Sequence, residues 1–107
     1  MVNQNKVLGL IGLSAKAGKI EFGADAVENA IKKKKVKLVI VSSDAAERTK
    51  ENFEFLCKKS NINFIVFGYK EEISKAIGKN NKAVIAIKDI NLSNEIYKII
   101  CGGEAIG

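Results

Sequence analysis

Three short apolar runs constrain this chain more than anything else in it: KLVIVS at residues 37–42, INFIVF at 62–67 and AVIAI at 83–87. Each is too short for a buried helix and rich in β-branched residues, which suit a strand covered on both faces. Such strands need helices above and below them. The intervening segments supply helical periodicity, so the expected fold class is α/β, a three-layer α/β/α sandwich around a four-stranded sheet.

The fourth strand is the least obvious. Residues 19–22 (KIEF) alternate, with Ile20 and Phe22 on one side, and Gly23 ends the run. Five helices surround these strands. Asn3 or Asn5 caps the first, whose stripe of Val7, Leu8, Leu10, Ile11 and Ala15 stops near Gly18, with Gly9 and Gly12 leaving room for another element. The second starts after Gly23 and turns Ala24, Val27, Ala30 and Ile31 inward. Asp25 and Glu28 lie toward its N-terminal end and the lysines toward its C-terminal end, as the helix dipole favours, and it finishes near Lys34.

Ser43 or Asp44 is expected to cap the third helix, with Thr49, Phe53, Leu56 and Cys57 on its core face. Phe55 falls almost opposite Phe53, and it either packs against a neighbour, the expected outcome, or stands in solvent. Tyr69, Ile73, Ala76 and Ile77 mark the fourth helix, closed by Gly78. The polar KNNK at 79–82 is a loop. Leu92, Ile96, Ile99 and Ile100 define the last helix, stopped by Gly102 and Gly103 before a loose tail.

A length of 107 residues with 47% apolar content suits one domain over residues 1–107. No window approaches the roughly 18 apolar residues of a membrane span, and the N-terminus lacks the order of a signal peptide. A soluble cytoplasmic protein is expected. Cys57 and Cys101 are far apart, and with no histidine in the chain they suggest reduced, partly buried thiols rather than a metal site. The same lack of histidine removes the commonest acid-base residue. Glu71 and Glu72 are adjacent and point apart on a helix. GLSAKAGK at 12–19 resembles a phosphate loop, but its glycines are one residue too far apart, Ile20 stands where a hydroxyl is needed, and a strand follows instead of preceding it. No catalysis and no cofactor are expected.

The formal charge of +6 suggests a polyanionic partner, although abundant lysine, isoleucine and asparagine beside a single arginine, Arg48, is also what AT-rich coding produces. Distribution is more informative than the total. Residues 1–37 hold eight lysines against Glu21, Asp25 and Glu28, a net +5 of that +6. Lys16 and Lys19 flank the turn before the first strand, and Gly23 opens a helix whose free amides favour an anion. Lys32 to Lys35 are either a solvated helix end or part of the same basic face.

The order LSAKAGKIEFGADAVENAIKKKKVKLVIVSSDAAERTK, continued by ISKAIGKNNKAVIAI, resembles the large-subunit ribosomal proteins and relatives that bind kink-turn RNA, in particular their small bacterial YlxQ-like branch. The resemblance covers almost the whole chain. It implies a small mixed sheet within the sandwich, no catalysis, and an RNA-binding surface made of the strand-to-helix junction and the loop before the last strand. Structured RNA, ribosomal or kink-turn, is the implied partner, with no membrane or DNA and a monomeric chain.

Carried onto this sequence, the implied RNA-facing positions are Lys16, Lys19, Gly23, Ala24, Asp25, Ala26, Asn29, Lys32 and Lys33, with Lys79, Asn80, Asn81 and Lys82 in the second contact loop. Gly23 matches the family's hinge glycine. Ribosomal-type members follow it with an asparagine-glutamate pair and then a lysine, which read tandem sheared G·A pairs; here Asp25, Ala26 and Asn29 stand instead. Asp25 accepts but cannot donate, Ala26 reads nothing and Asn29 brings no charge. The loop, apolar in typical members, is polar here. A protein-interaction module of the same fold that has lost specific RNA reading is the alternative.

Overall fold

In the computed structural model, which describes residues 3–102, the elements run α1 (Gln4–Lys16), β1 (Ile20–Phe22), α2 (Ala24–Lys32), β2 (Leu38–Val41), α3 (Glu47–Ser60), β3 (Asn63–Val66), α4 (Lys70–Ala76), β4 (Val84–Ile87) and α5 (Ile90–Cys101). The stop at Gly103 and the tail expected beyond it lie outside the described residues. The strand order is β1-β4-β2-β3, with β4 antiparallel to both its neighbours and β2 parallel to β3. The sheet is therefore mixed, and α3 is the crossover that its one parallel pair requires.

Alternation along the strands divides the core into two layers. Leu38, Ile40, Ile85 and Ile87 face α1, α4 and α5, where Val7, Ile11, Ile73 and Ile96 meet them. Val39, Val41, Val84 and Ala86 face α2 and α3, against Val27, Ile31, Phe53 and Cys57. The sandwich has three layers, as its apolar runs require. β2 and β4 are buried along their whole length, whereas β3 is an edge strand. Val66 is 42% exposed there, so INFIVF is less fully covered than its apolar composition suggests.

Other local expectations shift in instructive ways. Asn3, not Asn5, caps α1: its side chain accepts from the Lys6 amide at 3.1 Å. Neither Ser43 nor Asp44 caps α3, because a turn closed by the Ala45 amide on the Ser42 carbonyl delays the helix and leaves Ala46 as its cap residue. Asp44 instead accepts from the Lys70 amide at 2.9 Å, tying the start of α4 to that turn. This bond, with a smaller contribution from Ser42, holds the Asp44 carboxyl below its ordinary range.

Tyr69 is the residue before α4 and is exposed, not part of its core stripe. Phe55 is 63% exposed, the less expected outcome, since among the described residues no element packs over the outer face of α3. Ala24 also faces solvent, because the inward stripe of α2 begins only at Val27. Gly12 brings α1 close to α4: a Cβ there would stand 3.0 Å from the Ala76 carbonyl oxygen, whereas at Gly9 it would meet nothing within 4 Å. Cys57 is buried, which pushes its thiol up to about 12, and Cys101 is exposed, not partly buried; both are free. Among the described residues no helix is long and apolar enough to cross a membrane.

Candidate nucleic-acid interface

Gly23 belongs to two elements at once. Its amide donates to the Val84 carbonyl at 2.9 Å, adding a rung to the β1–β4 ladder, and its carbonyl accepts the Val27 amide at 3.0 Å, opening α2. Serving both requires φ +91° and ψ 147°. That combination is essentially closed to residues with a Cβ and costs them about 1–3 kcal/mol. The obstacle is conformational rather than spatial, since a Cβ would find only the Lys82 ammonium, 4.0 Å away.

That ammonium comes from the loop before β4. The Lys79 and Lys82 Nζ atoms lie 5.1 and 5.5 Å from the centroid of the Phe22 ring, both within cation–π range. The two segments named from the sequence, the strand-to-helix junction and the 79–82 loop, therefore meet at Phe22. A buried serine holds the loop there: Ser74 Oγ accepts from the Lys82 amide at 2.7 Å and donates to the Lys82 carbonyl at 3.3 Å. The Lys79 amide bonds the Ser74 carbonyl at 2.8 Å as α4 ends in a left-handed Gly78.

Beside Phe22 opens a cleft of about 560 Å³ between the ends of α1 and α4. Lys16, Lys75 and Lys79 border it, with Gly12, Gly18 and Gly78 among its walls. Charge is not cancelled at this place. Glu21, the neighbouring carboxylate, points to the other side of β1 and pairs with Lys88 at 3.2 Å. Among the described residues, neither Lys79 nor Lys82 takes part in an ion pair.

The remaining expected positions are dispersed. Asp25, Ala26 and Asn29 are exposed on the first turns of α2, beside Gly23. Lys32 and Lys33 sit at the other end of that helix, about 13 Å along its axis. Lys32 is paired with Glu28 at 3.3 Å. Lys19 lies at the far end of β1, where its carbonyl accepts the Lys88 amide. Asn80 and Asn81 are exposed and border a second shallow cleft with Lys70 and Lys75. Sequence reasoning missed Phe22, Ser74 and Lys75 as site residues. An aromatic ring directly before a hinge glycine was a signal for the first; the other two gave none.

The family described as Ribosomal protein L7Ae/L30e/S12e/Gadd45 matches residues 5–97. The chain belongs to this family. Over 100 residues it is 31% identical to the RNA-binding protein YlxQ of Enterococcus faecium, covering 94% of this chain and 96% of that one. A solved structure of a Bacillus halodurans protein of unknown function superposes with TM-score 0.86 at 35% identity, over 90% of this chain and 97% of the other. The 15.5kD RNA binding protein of Giardia lamblia shares the fold, with TM-score 0.79 at 21% identity, over 91% and 87% of the two chains. The mixed four-stranded sheet is that of the family's fold, and the family is of the RNA-binding ribosomal-protein type.

Proposed function

We propose that this chain is a non-catalytic, ribosomal-protein-like RNA-binding protein. It docks structured RNA on the surface made by Phe22, Gly23, the first turns of α2 and the 79–82 loop. The observation that carries this reading is the convergence of Lys79 and Lys82, unpaired by any carboxylate among the described residues, on the junction at Gly23. Lysines of this kind hold phosphates and set register, and other groups must read shape. The YlxQ and 15.5kD relatives, both described as RNA-binding, support the partner class. The chain works as one cytoplasmic domain and a monomer, on ribosomal or other structured RNA rather than DNA.

Binding should fall steeply with salt, with a slope of about 0.7 to 0.9 per phosphate neutralised. Titrating a kink-turn RNA against a straight duplex separates shape from charge. Tighter binding to the kinked RNA supports kink-turn reading. Equal affinity removes kink-turn reading and leaves charge alone, in keeping with Asp25, Ala26 and Asn29 at the reading positions.

A second reading, a protein-interaction module, is favoured by one observation: Phe55 projects from α3 with 63% of its surface exposed. Charge reversal of Lys79 and Lys82 tests it. RNA association in extracts that survives this change supports the module, and its loss supports direct RNA binding.

A further inference from the structure

The Phe22 ring stands at the rim of the core, where one part of it packs inward and the rest is open. Ile20 and Phe22, on the same side of the strand, both pack against the core layer of α1, α4 and α5, and Phe22, at the strand end, is only half-buried and borders the open cleft. A Cβ at either Gly18 or Gly78 in the cleft walls would meet nothing within 4 Å, so there is room beside the ring. Its visitors in the free protein are two ammonium groups of like charge.

We propose that Phe22 is a stacking platform for an unpaired nucleobase, covered by Lys79 and Lys82 until RNA arrives. The proposal rests on the RNA-binding reading above and adds the class of nucleotide that the site takes. A cation–π contact at a partly exposed ring is weaker than base–aromatic stacking, so a base displaces the ammonium groups. The lysines, still anchored through the loop by Ser74, then meet the phosphates on either side of that base. Paired bases are stacked within their helix and cannot present a face to the ring, so the platform selects single-stranded segments, loops or ends. Phosphate contacts alone would make no such distinction.

The test uses the full chain, a short single-stranded RNA and the duplex it forms with its complement. Phe22→Leu keeps an apolar side chain and removes the ring. Its affinity for the single strand should fall by about fivefold or more, and its affinity for the duplex by clearly less, since the duplex meets this surface through its phosphates and not through a base on the ring. Phe22→Trp should retain single-strand binding. Because the chain has no tryptophan of its own, the tryptophan emission of that variant, excited selectively over its two tyrosines, reports the site alone, and it should be quenched by the single strand and not by the duplex. Thermal unfolding of both variants checks the fold.

If Phe22→Leu leaves single-strand affinity unchanged, or lowers both affinities equally, the platform is wrong and RNA binding stands. Unquenched emission with the single strand bound overturns it in the same way, even if the leucine variant fails to fold. If neither RNA binds the unaltered chain at low salt, the platform and the RNA-binding reading fall together.

Discussion

The two ends of α2 are both rich in lysine and differ in why. At the C-terminal end, Lys32 to Lys35 lie on one stretch of chain where local physics already explains them. Lys32 pairs with Glu28, the run faces the negative pole of the helix dipole, and Lys34 enters the left-handed region at φ +57° to close the helix. At the N-terminal end, lysines from a distant loop are gathered on Phe22 beside the positive pole of the same helix, where the dipole repels them. An anion relieves that arrangement. The lesson is that a charge run counts for less than charges that the fold collects against their local interest.

The comparison can be broken most forcefully at Gly23. Gly23→Ala should destabilise the protein by about 1–3 kcal/mol, seen as a lower denaturation midpoint, and should weaken RNA binding, because no residue with a Cβ serves both ladder and helix there. A denaturation curve indistinguishable from that of the unaltered chain would remove the claim that this end is strained. Next comes Ser74→Ala, which leaves the Lys82 amide without its buried partner. A cost of about 1–3 kcal/mol is expected, together with faster hydrogen exchange at Lys79 and Lys82.

Lys79→Gln with Lys82→Gln should leave stability almost unchanged and lower the salt slope of RNA binding by about 1.4 to 1.8, two phosphates' worth. The same pair of changes at Lys32 and Lys33 should move the slope less. Equal shifts at the two ends would erase the functional difference between them. Smallest of all, Lys34→Gly should raise stability by up to about 1 kcal/mol, since glycine tolerates the left-handed C-terminal position, with RNA affinity little altered.

Much of the fold was legible because its signals are local. Val and Ile runs of strand length, the helical stripes at Val27, Ala30 and Ile31, and glycines at helix ends each depend on a few neighbouring residues. Misjudged positions depend on what packs from elsewhere. Phe55 is exposed because no element among the described residues covers the outer face of α3, and β3 is an edge through a strand order that no single strand encodes. Asp44 stands where a cap for α3 belongs in sequence, yet it serves α4.

The site divides along the same line. Gly23 as a hinge, the polar 79–82 loop and the clustered lysines of the first third are properties of sequence order, and the sequence determined them. That two of the loop's lysines come to rest on Phe22, that Ser74 fastens them there, and that Lys32 and Lys33 stand a helix length away were decided only by tertiary structure. The reason is physical: periodicity and turn chemistry act over a few residues, whereas a binding surface is assembled by the packing of β1 against β4 and of α4 against α1, which brings together residues with no local relation.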